Sequence, residues 1–122
     1  MNGTANSMPD SCLFCRIIAR ELPATILHED DQLVVIQDIR PQAPLHALVI
    51  PRRHIPTLND LGEGDDGLVG SMLRRAAVLA AEKGLAERGY RTVFNCNSAA
   101  GQTVYHIHLH VLGGRPLGWP PG

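Results

Sequence analysis

Apolar positions along this chain recur with two periods, close to 3.6 residues in two segments and close to 2 in five others. Leu13, Phe14, Ile17 and Ile18 fall at helical spacing and Pro23 closes the segment, which predicts a short amphipathic helix. Ile26 to Glu29 and Leu33 to Gln37 are β-rich runs joined across Asp30-Asp31 as a hairpin. Pro41 and Pro44 then bracket a turn before a third run, His46 to Ile50, so the first half reads as an antiparallel meander. From Gly67 to about Glu87 the spacing of Leu68, Met72, Ala76 and Leu79 predicts a surface helix ended by Gly89, covering one face of the sheet. Tyr90 to Asn95 and Tyr105 to Leu112 are two more strands, separated by the small-residue loop from Asn97 to Gln102. Strands that run together, with helices set apart, indicate an α+β class: a five-stranded antiparallel sheet with one short and one long helix. Residues 1–11 read as a flexible leader and 12–122 as one domain, whose Pro/Gly-rich tail from Arg115 to Gly122 can be neither helix nor inner strand.

Composition narrows the function. At 122 residues the chain suffices for one modest core, hence one site per chain. A 44% hydrophobic fraction, 19% charged residues and a formal charge of -1 offer no basic field for nucleic acid, so any nucleotide must be held by a local pocket. No apolar stretch approaches the roughly 20 residues of a membrane span, and Met1 to Ser11 lacks the apolar centre of a signal peptide, so a cytoplasmic protein is expected. The 3 cysteines, Cys12, Cys15 and Cys96, are an odd number without an export signal, which argues against a disulfide framework.

The chemistry concentrates in Tyr105-His106-Ile107-His108-Leu109-His110-Val111-Leu112. On a strand the side chains alternate faces, so the three imidazoles are expected to line one groove while Ile107, Leu109 and Val111 enter the core. The bland reading is a polar strand face with satisfied histidines. A metallohydrolase is a sharper rival, but at about 3.3 Å per residue His106 and His110 stand about 13 Å apart and cannot share one ion. His108 and His110, about 6.6 Å apart, can both touch one phosphate. A neutral imidazole at pH 7 is nucleophilic, and its attack on phosphorus would form a phosphohistidine that water then opens.

His106-Ile107-His108-Leu109-His110-Val111-Leu112 resembles the His-φ-His-φ-His-φ-φ signature (φ, hydrophobic) of the histidine triad (HIT) superfamily. The likeness to its Hint branch extends over Phe14 to Pro23, Asp38 to Pro44, Val49 to Ile55, Gly101 to Tyr105 and the ending Gly113-Gly114-Arg115 through Trp119-Pro120-Pro121-Gly122, leaving only residues 1–11 outside. The resemblance implies that His108 is the nucleophile and that His110 contacts the phosphate and helps the leaving group take a proton. It places Asn95 and the backbone of Gly101, Gln102 and Thr103 on the phosphate oxygens, where amides of a small-residue loop suit an anion. It assigns Asp38 to the ribose hydroxyls and sets Phe14, Ile17, Ile36, Ile39 and Val49 around the base. Asp38 also reads as a turn former and the aliphatics as plain core. Ile36 departs from the aromatic that many Hint relatives carry, and Thr103 stands for the more familiar Ser.

Cys12-Leu13-Phe14-Cys15 has a spacing that lets two thiolates reach one zinc, with His54 and His106 completing a Cys2His2 set, as in many bacterial relatives that this chain resembles. The competing readings are a redox pair, which would want a thioredoxin-like context, and two incidental thiols. His54 alternatively hydrogen-bonds His106 within the active site. His46 and His28 read as strand-surface histidines.

The resemblance implies a hydrolase of purine nucleoside 5′-phosphoramidates, and of aminoacyl adenylates by the same parts, with structural zinc and no organic cofactor. The rival enzyme is a dinucleoside polyphosphate hydrolase of the Fhit type, and the rival from another class is a nucleotide-binding adaptor with vestigial catalysis. By the same resemblance a homodimer is expected through Gly67 to Glu87 and Tyr90 to Asn95, with Trp119, the large aromatic of the tail, docked beside the partner's site.

Overall fold

The computed structural model describes residues 11–122, so the leader expected over residues 1–11 lies, apart from Ser11, outside the described residues. Helix α1 spans Leu13–Ile18 and is followed by strands β1 (Ile26–Glu29), β2 (Leu33–Gln37) and β3 (Leu45–Pro51). Helix α2 spans Asp66–Glu82, and β4 (Tyr90–Val93) and β5 (Leu109–Gly113) complete the chain. All neighbours pair antiparallel in the order β1-β2-β3-β5-β4, the α+β sheet that the periodicity predicts. Asp30 closes the β1–β2 hairpin by accepting the amides of Gln32 and Leu33 on one carboxylate oxygen, each at 2.9 Å.

Because strand side chains alternate, the sheet has two apolar faces, and both are covered. Leu33, Val35, Ala47, Val49, Leu109 and Val111 face α2, whose Met72, Ala76 and Leu79 lie at the spacing of one helical stripe. Val34, Ile36, Leu48 and Ile50 face the other way and pack against Cys12, Phe14, Cys15 and Ile17 of the α1 segment. All seven residues of β3 are therefore buried. Val49 lies in the α2-side cluster, across the sheet from α1, so it cannot line a base pocket on the histidine face.

Three boundaries differ from the sequence reading by two residues or more. α2 ends at Glu82 because Gly84 takes a left-handed φ of 75°, and the Leu85 amide caps the Ala80 carbonyl at 2.8 Å, ahead of Gly89. β4 stops at Val93. β5 begins at Leu109, not Tyr105: the β3 partner two residues beyond the Val49–Leu109 pair is Pro51, which has no N–H to give. The Ile107 amide donates to the Ile55 carbonyl instead, at 2.8 Å.

Candidate active site and metal centre

That early end of the ladder divides the histidine row. The alternation holds for the core residues, since Ile107, Leu109 and Val111 are buried. The imidazoles, however, do not share one open groove: His106 is completely buried among the cysteines, whereas His108 and His110 are half-buried. His108 and His110 have ring centroids 5.1 Å apart, near enough to serve one phosphate.

Backbone groups fix the tautomers. His108 Nδ1 donates to the His106 carbonyl at 2.8 Å, and a carbonyl only accepts, so the lone pair of the neutral ring sits on Nε2, which has no hydrogen-bond partner among the described residues. Burial depresses the His108 pKa, partly countered by the His106 carbonyl and the Asp38 charge, which keeps the ring neutral at pH 7. His110 is held down to about 4 by burial and by the neighbouring His108 and His46. Phe14, on α1, meets the His108 ring edge-on at 4.9 Å.

Asp38 ends the β2 strand, with one carboxylate oxygen accepting the Arg40 amide at 2.8 Å and the other 3.5 Å from His46 Nε2. His46 is no strand-surface residue: it is 7% exposed and its Nε2 lies 2.9 Å from His110 Nδ1. Its signal in the sequence was its phase, which puts it with Leu48 and Ile50 on the face opposite Ala47 and Val49. His28 does stay at the surface, 2.9 Å from Asp30. Ile17, on the inner face of α1, and Ile36, beneath it on β2, are buried, and Ile39 is 90% exposed beside Asp38.

The loop after β4 turns through Asn97 (φ 67°), a 3₁₀ turn at Ser98–Ala100 and Gly101 (φ 88°), a conformation that favours glycine. Gln102 is buried, and its side chain is fully used: Oε1 accepts the Asn97 amide at 2.8 Å, and Nε2 donates to the Pro56 and Val104 carbonyls at 2.8 and 3.2 Å. The expected amide cradle is reduced, because the Gly101 and Gln102 amides donate to the Ser98 and Asn97 carbonyls at 3.0 and 3.1 Å, and of these three amides that of Thr103 alone has no acceptor among the described residues. Asn95 is half-buried at the entry of this loop, and Thr103 is exposed. Grooves of about 490 and 550 Å³ open on the α2 side, lined by residues such as Gln32, Ser71, Arg74 and Arg53, with no histidine in either.

Cys12, Cys15, His54 and His106 are all buried and bring four donor atoms within 4.8 Å of one another. Cys12 caps α1, its sulfur accepting the Cys15 amide at 3.4 Å. Cys12 Sγ lies 3.4 Å and Cys15 Sγ 3.5 Å from His106 Nδ1, Cys15 Sγ 3.3 Å from His54 Nδ1, and the two Nδ1 atoms are 3.2 Å apart. Ligand atoms around a tetrahedral zinc stand about 3.4 to 3.8 Å from one another, so a modest expansion admits the ion. His106 Nε2 donates to the Pro51 carbonyl at 2.7 Å, which turns its Nδ1 lone pair toward the sulfurs. Burial, with Cys12 beside it, pushes the Cys15 thiol up to about 12, a cost that a bound cation removes. The donor set and its protonation fit zinc; the same 3.2 Å contact is the His54–His106 hydrogen bond when no ion is held.

Residues 11–116 match the family model described as "Scavenger mRNA decapping enzyme C-term binding". Over 111 residues the chain is 48% identical to the purine nucleoside phosphoramidase of Escherichia coli K12, covering 91% of this chain and 93% of that one. The chain belongs to the histidine triad family. Among solved HIT structures, the HIT family hydrolase from Legionella pneumophila Philadelphia 1 superposes with a TM-score of 0.90 at 55% identity, covering 92% of this chain and 100% of that chain. A Zn-bound histidine triad family protein from Mycobacterium smegmatis gives a TM-score of 0.75 at 40% identity, over 86% of this chain and 76% of that one. The HIT row of this chain is thus the segment His106 to Leu112, split between a buried cluster and a half-buried pair.

Proposed function

We propose that this HIT protein is a nucleotide hydrolase that cleaves purine nucleoside 5′-phosphoramidates through a nucleotidyl-His108 intermediate. The observation that carries this reading is the His108 tautomer, whose Nδ1–H is spent on the His106 carbonyl so that Nε2 keeps an unspent lone pair. In the first step that lone pair bonds the α-phosphorus while the phosphorus–nitrogen bond breaks, and His110 helps the departing amine take a proton from water. Water then adds to phosphorus as the nitrogen–phosphorus bond to His108 breaks, releasing the nucleoside monophosphate and a proton that neutralises the hydroxide left by the first step. Asp38 would hold the ribose hydroxyls, Phe14, Ile17 and Ile39 would flank the base, and Asn95 with the Thr103 amide would bind the phosphate oxygens. Aminoacyl adenylates offer the same bond to the same groups. The relatives named phosphoramidase and hydrolase support this choice.

Zinc on Cys12, Cys15, His54 and His106 would be structural, tying α1 to the row and taking no part in the transfer. We further propose a homodimer. Leu73 and Val78 of α2 and Tyr90 of β4 are large apolar side chains left at the surface, and β4 has an unpaired edge in this sheet. Kinetics on a panel of adenosine and guanosine phosphoramidates and diadenosine polyphosphates test the reading. Turnover of the phosphoramidates is expected, and His108→Ala should lower it at least about a thousandfold with nucleotide binding retained. Residual activity within tenfold of wild type would sink the mechanism.

A further inference from the structure

We propose that His46 is a positioning residue that fixes the tautomer of His110, so that His110 turns an N–H, rather than a lone pair, toward the substrate phosphate. This rests on the reading that His110 serves the leaving group, and it concerns a residue whose position in the sequence suggests only a strand surface.

The Gln42 amide lies 3.0 Å from His46 Nδ1 and can only donate, so Nδ1 is an acceptor and the one proton of the neutral His46 ring is on Nε2. Nε2 is 2.9 Å from His110 Nδ1 and 3.5 Å from the nearer Asp38 carboxylate oxygen, which makes His110 Nδ1 the acceptor of that proton. The opposite assignment would leave His46 with no proton on either nitrogen. His110 therefore carries its own proton on Nε2, the nitrogen without a partner among the described residues. The Asp38 charge faces the His46 N–H and favours the same polarity. Arg115 Nε donates to the Gln42 carbonyl at 2.9 Å, so the residue whose amide orients His46 is tied, through its next peptide, to the Arg115 side chain.

Asp38, His46 and His110 also group as three donors within 4.8 Å. A separation of 2.9 Å between two imidazole nitrogens is that of a hydrogen bond and is shorter than the about 3.4 Å between two nitrogens on one tetrahedral ion. With Nδ1 of His46 already occupied, the cluster is a relay of orientation, from Gln42 through His46 to His110. Two adjacent rings then reach the substrate in opposite states: His108 with a lone pair and His110 with a proton.

Nitrogen-15 NMR of the imidazoles in the full-length protein reads the tautomers directly. The expected wild-type result is His110 protonated at Nε2 and bare at Nδ1, with His46→Leu giving a mixture of both forms. In steady-state assays His46→Leu should lower kcat about 10- to 100-fold with KM within a few-fold, the scale on which loss of a group orienting a functional imidazole is felt. His46→Gln, which keeps an N–H near the position of Nε2, should recover most of that loss. His110 protonated at Nδ1 in wild type, or equal kcat for the Leu and Gln variants, would overturn the proposal. The wild-type spectrum and His46→Gln decide even where His46→Leu does not fold. A wild-type protein inactive on every phosphoramidate would sink the functional reading while the spectrum still judged the tautomer.

Discussion

His106, His108, His46 and His110 each show one ring nitrogen to the chemistry because something else claims the other. The Pro51 carbonyl takes the Nε2–H of His106, the His106 carbonyl takes the Nδ1–H of His108, and the Gln42 amide occupies Nδ1 of His46. His110 alone answers to a side chain. The row itself was legible, because alternation of imidazole with aliphatic residues is a pattern of sequence. The assignment of each ring was not, since Pro51, Gln42 and His46 lie at least 55 residues before the ring each one meets or, for Gln42, act through His46. The cysteines were legible as a spacing, yet only the fold brings His54 and His106 onto them. At this scale the expectation is about one zinc per chain in protein purified without chelator, and loss of both metal and thermal stability in Cys12→Ser. Metal analysis that finds no zinc would leave the two residues as incidental thiols.

Elements set how the row is shared. Pro51 ends the ladder, so the residues from His106 to His108 leave the sheet and carry one imidazole down to α1 and the next to the open site. Periodicity reads a strand from Tyr105 because it sees the chain's own alternation and not the partner's missing donor. The same blindness lengthened α2 past Gly84, where a left-handed residue stops a helix whose apolar pattern runs on to Leu85. The loop after β4 was read from its small residues as an anion cradle, and the part played by Gln102 in it belongs to tertiary structure: three backbone groups depend on one buried amide. Gln102→Ala should cost about 1–3 kcal/mol of folding stability by stranding those groups, and should weaken nucleotide binding as the loop loosens. Denaturant unfolding and nucleotide titration check it; an unchanged midpoint with unchanged affinity would show that the loop holds itself.

Pairing and the tail belong to the scale of the whole molecule. The tail is laid along β4 by Arg91, which donates to the Leu117 and Gly118 carbonyls at 3.3 and 2.8 Å, and it leaves Trp119 84% exposed. An indole that large at the surface is suited to covering by a second copy. Light scattering at micromolar concentration should find a dimer, and deleting Gly118 to Gly122 should change the preference among phosphoramidate amines more than it changes the melting temperature. A monomer would refute the pairing, and an unchanged substrate profile would refute the tail's role.

The central claim is that His108 becomes covalently bonded to phosphorus, and acid-quenched mass spectrometry during turnover of an adenosine phosphoramidate tests it most directly. The account predicts a transient adduct with the mass of an adenylyl group, mapped to His108 in wild type and absent from His108→Ala. Turnover that proceeds with no adduct, or with the adduct on another residue, would contradict it.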